Sequence, residues 1–208
     1  MTEPDVAITD YLLAVESLTF ATLLIAQPAA RTDLRAWFVV FFVATALASL
    51  LGGTVHGFFV ARPSRLGRLL WRVTLLSIGI SAAASWMIGA AVMWPTSHAG
   101  WILALVAAEL IAYALIVFIV NDAFWVAAVN YAPATMFLIV ACVVAYSDAP
   151  SGALASGIGG LVLTLLAGLG QRLRIGLHPK YFNHNAVFHV LHGIALFMIF
   201  RSAAYLIS

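Results

Sequence analysis

Seven apolar segments, each long enough to cross a bilayer as a helix, constrain this chain more than any other feature of its sequence. A membrane-spanning helix needs roughly 20 mostly apolar residues. Of the 208 residues, 64% are hydrophobic and 9% are charged, whereas a soluble domain carries about 25% charged residues. The sequence therefore predicts an all-α integral membrane protein, a single seven-transmembrane helical bundle over residues 1–208, with spans near 10–28, 36–60, 69–94, 100–120, 123–146, 152–171 and 184–206.

Cysteine and charge exclude several functional classes. Cys142 is the only cysteine and lies in an apolar segment, so an intramolecular disulfide and a cysteine-based zinc motif are both excluded. The net charge is +2, and in such an apolar chain the basic residues are better interpreted as topology signals than as a nucleic-acid surface. We therefore expect a membrane lipid, and no nucleic acid, as the partner.

The basic residues fall unevenly on the two sides of the predicted bundle. Cytoplasmic connections of membrane proteins carry an excess of lysine and arginine. This bias predicts a cytoplasmic amino terminus and an external carboxyl terminus. The residues expected on the cytoplasmic side are Arg62, Arg65, Arg68, Arg72, Arg172, Arg174 and Lys180, and those on the opposite side are Arg31, Arg35 and Arg201.

The start of the seventh span, 183–193, holds three of the six histidines. On a helix, Asn185, His189 and His192 are spaced i, i+4 and i+7, which places them along one face. His184 is five residues from His189 and points in another direction. Ionisable residues at membrane depth are costly and usually functional, so this face is the first candidate site.

Two residues from other spans are expected at the same depth. His56 lies about one turn from the cytoplasmic end of the second span, and Glu16 lies about two turns into the first span. The spacing of 1.5 Å per residue along a helix places Glu16 roughly 9 Å deep, close to the predicted level of His189 and His192. Three histidines and a carboxylate are thus predicted in one layer of the membrane.

This combination favours a zinc site. Three histidines with a water in the fourth position form one of the catalytic zinc arrangements, so His56, His189 and His192 are the predicted Zn²⁺ ligands. Zinc lowers the pKa of its bound water to about 7 and polarises a carbonyl group, as amide or ester hydrolysis requires. We assign Glu16 as the base that accepts the proton of the water, and Ser49 and Asn185 as supports for the oxyanion or a ligand histidine.

Other interpretations of the histidines remain open. His56 and a histidine of the seventh span could be axial ligands of haem in a membrane electron carrier. A metal could instead brace the bundle of a lipid sensor or interaction protein that has no catalytic activity, and the group could also be a hydrogen-bonded polar cluster without a metal. A retinal protein is disfavoured because Lys180, the only lysine, precedes the seventh span.

The arrangement resembles the CREST superfamily of seven-span membrane hydrolases, which includes alkaline ceramidases and the progestin and adiponectin receptors. That family has a histidine near the cytoplasmic end of the second span, matched here by His56, and an H-x-x-x-H pair in the seventh. The segment Asn185-Ala186-Val187-Phe188-His189 is similar to that pair with asparagine in place of the first histidine. The resemblance implies a zinc-dependent hydrolase of a lipid amide or ester, with its site near the cytoplasmic leaflet.

Two positions differ from the family pattern. Its serine one turn before the second-span histidine is replaced by Gly52, so Ser49 is the nearest serine, and residues 61–100 contain no counterpart of its aspartate. The segment Phe182-Asn183-His184-Asn185 followed by His189 is also similar to uncharacterised bacterial membrane families. That similarity implies a bacterial inner (plasma) membrane as the location.

Overall fold

The computed structural model describes residues 1–61, 64–178 and 181–208, and within these ranges it is helical with no strand. Arg62 and Lys180, two residues of the topology prediction, lie outside the described residues. Helix α4 continues into a π-helical turn at Ile116–Val120. The helices are α1 Pro4–Ala26, α2 Thr32–Phe58, α3 Arg65–Met93, α4 Ala99–Leu115, α5 Phe124–Asp148, α6 Gly152–Arg172 and α7 His184–Ile207.

All seven helical segments, α4 together with its π turn, are long and apolar enough to cross a membrane, which confirms that part of the sequence prediction. The predicted bounds differ from the observed helices mainly at the start of α1, which begins at Pro4 rather than near residue 10. Proline is tolerated in the first turn of a helix because its missing N–H has no helical partner there. Asp5 in the same turn interacts favourably with the helix dipole. Asp10 consequently lies inside α1 and not at its start.

Six helices pack in a ring, and α4 lies outside it. The neighbouring pairs are α1–α2, α2–α3, α3–α5, α5–α6, α6–α7 and α7–α1, while α4 packs on α3. Only 17% of the most apolar stretch of the α4 segment is buried, against 67% for α3. A ring of six helices can enclose a cavity, and α4 does not line it.

The two ends of the ring differ. The amino-terminal end, which we define as the end containing residue 1 and the starts of α3, α5 and α7, is held by polar contacts. Arg72 Nε donates to Asp122 Oδ2 at 3.0 Å, and the Asn183 backbone N–H donates to Asp5 Oδ2 at 3.1 Å. The opposite end is filled by aromatic rings, with Phe20 stacked on Phe200 at a centroid distance of 4.6 Å. A cavity within the ring is therefore restricted to the amino-terminal end.

Candidate functional site

A cavity of about 860 Å³ lies inside the ring, bounded by α1, α2, α3, α5, α6 and α7. Ligand pockets in proteins have volumes of roughly 300–1,000 Å³, so this cavity has room for one small molecule. Its walls are mostly apolar, and a few polar side chains converge on it. Those from α1, α2 and α7 are Asp10, Thr45, Ser49, His56, His184, Asn185, His189 and His192.

Asp10 and His189 form the buried centre of this polar group. Their side chains are only 7% and 9% exposed, and Asp10 Oδ1 lies 3.3 Å from His189 Nε2. Two glycines of α2 bring α1 close enough for this contact. A Cβ atom at Gly53 would lie 2.9 Å from the Cβ of Asp10, and one at Gly52 would lie 3.4 Å from Asp10 Oδ2. The Gly52-Gly53 pair therefore leaves the space that Asp10 occupies.

The hydrogen bonds of Thr9 fix the tautomer of His189. Thr9 Oγ1 lies 3.0 Å from His189 Nδ1, and its own hydroxyl hydrogen is shared between the carbonyl oxygens of Asp5 and Val6 at 2.9 and 3.0 Å. The ring nitrogen Nδ1 must then carry a hydrogen and donate it to Thr9. The Nε2 lone pair consequently faces a carboxylate oxygen of Asp10. Two acceptors at this distance repel each other unless a proton or a cation lies between them.

His56 and His192 are held in the same way, each through Nδ1. His56 Nδ1 lies 2.5 Å from Glu3 Oε2, a carboxylate at the start of the chain. His192 Nδ1 lies 3.5 Å from Thr164 Oγ1, whose hydroxyl donates to the Gly160 carbonyl at 3.1 Å. A histidine that donates from Nδ1 to such an acceptor carries its lone pair on Nε2, where it can accept a proton or bind a ligand. A metal-binding histidine usually donates a hydrogen bond from one ring nitrogen and binds the metal through the lone pair of the other.

The structure brings most of the predicted site residues to one cavity. Ser49 is 6% exposed and lines the cavity together with Asn185, whose Oδ1 accepts a hydrogen bond from Gln171 Nε2 at 3.0 Å. Asn185 therefore joins α6 to α7 at the cavity wall. The three histidines of the prediction also line the cavity.

Glu16 is the exception, because it does not line this cavity. It lies in a separate groove between α1 and α7, where a Cβ atom on Gly193 would be 2.8 Å from Glu16 Oε2. Glu16 follows Asp10 by six residues, which corresponds to about 120° around a helix of 3.6 residues per turn. The two carboxylates therefore leave α1 in different directions. His189 borders both the cavity and the groove.

Asp10, Thr9 and Glu3 contribute to the site and were not predicted as site residues. One signal was present in the sequence, since an aspartate within an apolar segment is costly and commonly functional. That signal was missed because the first span was predicted to begin at residue 10, where an aspartate would be an ordinary interfacial residue. Thr9 and Glu3 lay outside the predicted span altogether.

The pattern of contacts also limits the metal interpretation. Within 1–61, 64–178 and 181–208, no group of three or more His, Cys, Asp or Glu side chains is arranged to hold a metal ion. Asp10 and His189 form a buried pair of potential ligands. Two ligands on a tetrahedral zinc, with bonds of about 2.0–2.2 Å, lie roughly 3.3–3.5 Å apart. The observed 3.3 Å between Oδ1 and Nε2 agrees with that separation.

Comparison with known proteins gives a family but no activity. No curated protein and no solved structure matches the chain. One family model, described as a family of unknown function (DUF6962), matches residues 6–208 and so covers all seven helices and every residue that lines the cavity. The chain belongs to this family, DUF6962.

Proposed function

We propose that this chain is an integral membrane protein that hydrolyses a lipid amide or ester with the help of a bound metal ion. The membrane assignment is supported by the outer surface of the bundle, where large apolar side chains point away from the core. Leu12, Leu105 and Ile119, for example, are 64%, 62% and 74% exposed. Such a surface is stable in lipid and unstable in water.

The cavity faces the cytoplasmic leaflet in this proposal. Among the described residues, the arginines at the amino-terminal end of the bundle outnumber those at the other end, and the positive-inside rule assigns the richer end to the cytoplasm. The amino terminus is then cytoplasmic and the carboxyl terminus external. The arginines at the richer end are Arg65, Arg68, Arg72, Arg172 and Arg174, and those at the other end are Arg31, Arg35 and Arg201.

Asp10, His189 and His192 would hold the ion, through the Asp10 carboxylate and the two Nε2 atoms. The observation that carries this assignment is the 3.3 Å contact of Asp10 Oδ1 with a histidine lone pair, since a cation between them removes the repulsion. Two histidines and a carboxylate are a known ligand set of catalytic zinc. When bound, zinc would polarise the substrate carbonyl and make a water molecule acidic.

His56 is better suited to proton transfer than to metal binding. Its Nδ1 hydrogen is held by the Glu3 carboxylate at 2.5 Å, so its Nε2 carries the lone pair that can take up a proton. A carboxylate that orients a histidine in this way also stabilises the imidazolium formed when Nε2 takes up a proton. His56 therefore replaces Glu16, which lies outside the cavity, as the proposed general base.

The remaining polar residues would bind the substrate. Ser49 can donate a hydrogen bond to the oxygen on which negative charge develops, and Asn185 keeps the ends of α6 and α7 together through Gln171. The apolar walls have room for the hydrocarbon part of a lipid.

The test combines metal content with lipid hydrolysis. Wild type purified without chelators should contain about one zinc per chain and release fatty acid from a panel of lipid amides and esters. His189→Ala should lose both properties, whereas His56→Ala should keep the metal and lose hydrolysis. Full hydrolysis by metal-free protein would refute the proposal.

A second function is supported by the other way to remove the repulsion between Asp10 Oδ1 and His189 Nε2, which is a proton in place of the cation. In that case Asp10 and His189 share a proton, and the cavity binds a lipid without cleaving it. This lipid-binding protein would copurify with a lipid, contain no stoichiometric metal and release no fatty acid.

A further inference from the structure

The rim of the cavity carries two arginines that have no anionic partner among the described residues. Arg172 and Arg174 line the cavity where α6 ends. Within the described ranges, neither guanidinium makes a hydrogen bond or an ion pair, whereas Arg72 of α3, at the same end of the bundle, is paired with Asp122 at 3.0 Å. The two arginines are therefore available for a ligand.

The backbone at Arg174 departs from the usual end of a helix. Its N–H donates to the Gln171 carbonyl and the N–H of Ile175 donates to the Gly170 carbonyl, both at 3.0 Å. These two bonds form a Schellman motif, in which the position of Arg174 is normally glycine because its backbone is left-handed. Arg174 has φ 58° and is the only described residue other than glycine with a positive φ. The chain thus has an arginine where glycine would be less strained, and that arginine lines the cavity.

Positive charge is in excess at this rim. His184 and Asn185 also line the cavity, and among its described lining residues Asp10 is the only acidic one. Arginine matches phosphate and carboxylate groups through paired N–H donors. An anionic group at the rim would have its charge compensated while the apolar remainder of the molecule extended along the walls.

We propose that Arg172 and Arg174 form a subsite for the anionic headgroup, a phosphate or carboxylate, of a small amphiphile whose apolar part occupies the cavity. This inference rests on the proposed function for the position of the cleaved bond, which would lie between the headgroup and the hydrocarbon, next to His189. It assigns the substrate class as anionic single-chain lipids rather than neutral ones.

The experiment measures binding without hydrolysis. The probes are a hexadecyl glycerol ether and the same ether carrying a phosphate, because an ether cannot be cleaved by an amidase or esterase. The full chain in detergent is incubated with each, and the bound fraction is read by native mass spectrometry. Wild type should prefer the phosphate-bearing ether by about tenfold or more, as expected for charge-assisted hydrogen bonds.

Arg174→Gly is the informative variant, since glycine adopts the left-handed backbone more easily and the fold should be retained. Arg174→Gly should bind the two ethers about equally, and Arg172→Gln should show a smaller preference for the phosphate-bearing ether than wild type does. Arg201→Gln, at the opposite end of the bundle, is the matched control and should keep the wild-type preference. Equal binding of the two ethers by wild type, or a preference that survives both rim substitutions, would overturn the inference.

Two further results distinguish the headgroup subsite from a site for a free anion and from the proposed hydrolytic activity. Inorganic phosphate that displaces the phosphate-bearing ether at equal concentration would assign the rim to a free anion and refute the lipid headgroup. Selective binding of the phosphate-bearing ether by a protein that hydrolyses no lipid would refute the proposed activity and leave the headgroup subsite intact.

Discussion

Asp10 of α1 and His189 of α7 are far apart in the sequence but face each other inside the helical ring. Asp10 Oδ1 lies 3.3 Å from His189 Nε2. Thr9, the residue before Asp10, holds the other ring nitrogen of the same histidine at 3.0 Å. Adjacent residues of α1 therefore contact both ring nitrogens of His189. The proposed metal site depends on this contact, and most of the predictions below change it or its surroundings.

Asp10→Asn should lower metal affinity at least tenfold, because the amide keeps the shape of the carboxylate and removes its charge. Removing a residue that only hydrogen-bonds to a metal-ligating histidine lowers metal affinity by roughly 10–100-fold, so removing a ligand itself should lower the affinity at least as much. Titration with zinc in competition with a chelator measures the change. Asp33→Asn, in the first turn of α2 at the other end of the bundle, is the control. Wild-type affinity in Asp10→Asn would show that the carboxylate is not a ligand.

Glu3→Gln should reduce hydrolysis by roughly tenfold or more and leave the metal content unchanged, since general-base catalysis contributes about 10²–10⁴-fold. The physical reason is that Glu3 orients His56 and stabilises its protonated form, but does not itself approach the metal. Activity and elemental analysis on the same preparation separate the two effects. Glu109→Gln, on α4 outside the ring, should change neither quantity. A lower metal content in Glu3→Gln than in wild type would indicate that His56 is a metal ligand.

Gly53→Ala should destabilise the protein by about 1–3 kcal/mol, the usual cost of overpacking. Its Cβ would lie 2.9 Å from the Cβ of Asp10 and 3.1 Å from the carbonyl oxygen of Ala7, so α1 and α2 would have to separate. Thermal unfolding in detergent measures the loss. Gly100→Ala is the matched control, because nothing lies within 4 Å of its added Cβ and alanine favours a helix. Equal stability of the two variants would contradict the close packing of α1 on α2.

Glu16→Gln should leave metal content and hydrolysis at wild-type levels. The sequence assigned the general base to Glu16, but the structure places this residue in the groove beside Gly193 and outside the cavity. Initial rates on the same lipid substrate test the point. A large loss of activity with an intact metal would restore Glu16 to the mechanism and require the groove to open into the cavity.

The helices could be predicted from the sequence because apolar length alone defines them, and six of the seven both begin and end within a few residues of the prediction. The shared depth of His56, His189 and His192 could also be predicted, since alternating helix direction fixes depth along each span. Direction around a helix axis could not be predicted, because it depends on which helices are neighbours. This is why Glu16, although close to Gly193 of α7, lies outside the cavity. Asp10 was overlooked for another reason, because the first span was predicted to begin at that residue whereas α1 begins at Pro4.

The most direct measurement is the zinc content per chain, by elemental mass spectrometry, of wild type, His189→Ala and His98→Ala purified without chelators. His98 is an exposed histidine in the connection before α4 and serves as the control. The proposed site predicts about one zinc per chain in wild type and in His98→Ala, and none in His189→Ala. Wild type without metal, or a metal that His189→Ala retains, would contradict the central claim that the Asp10–His189 pair binds an ion.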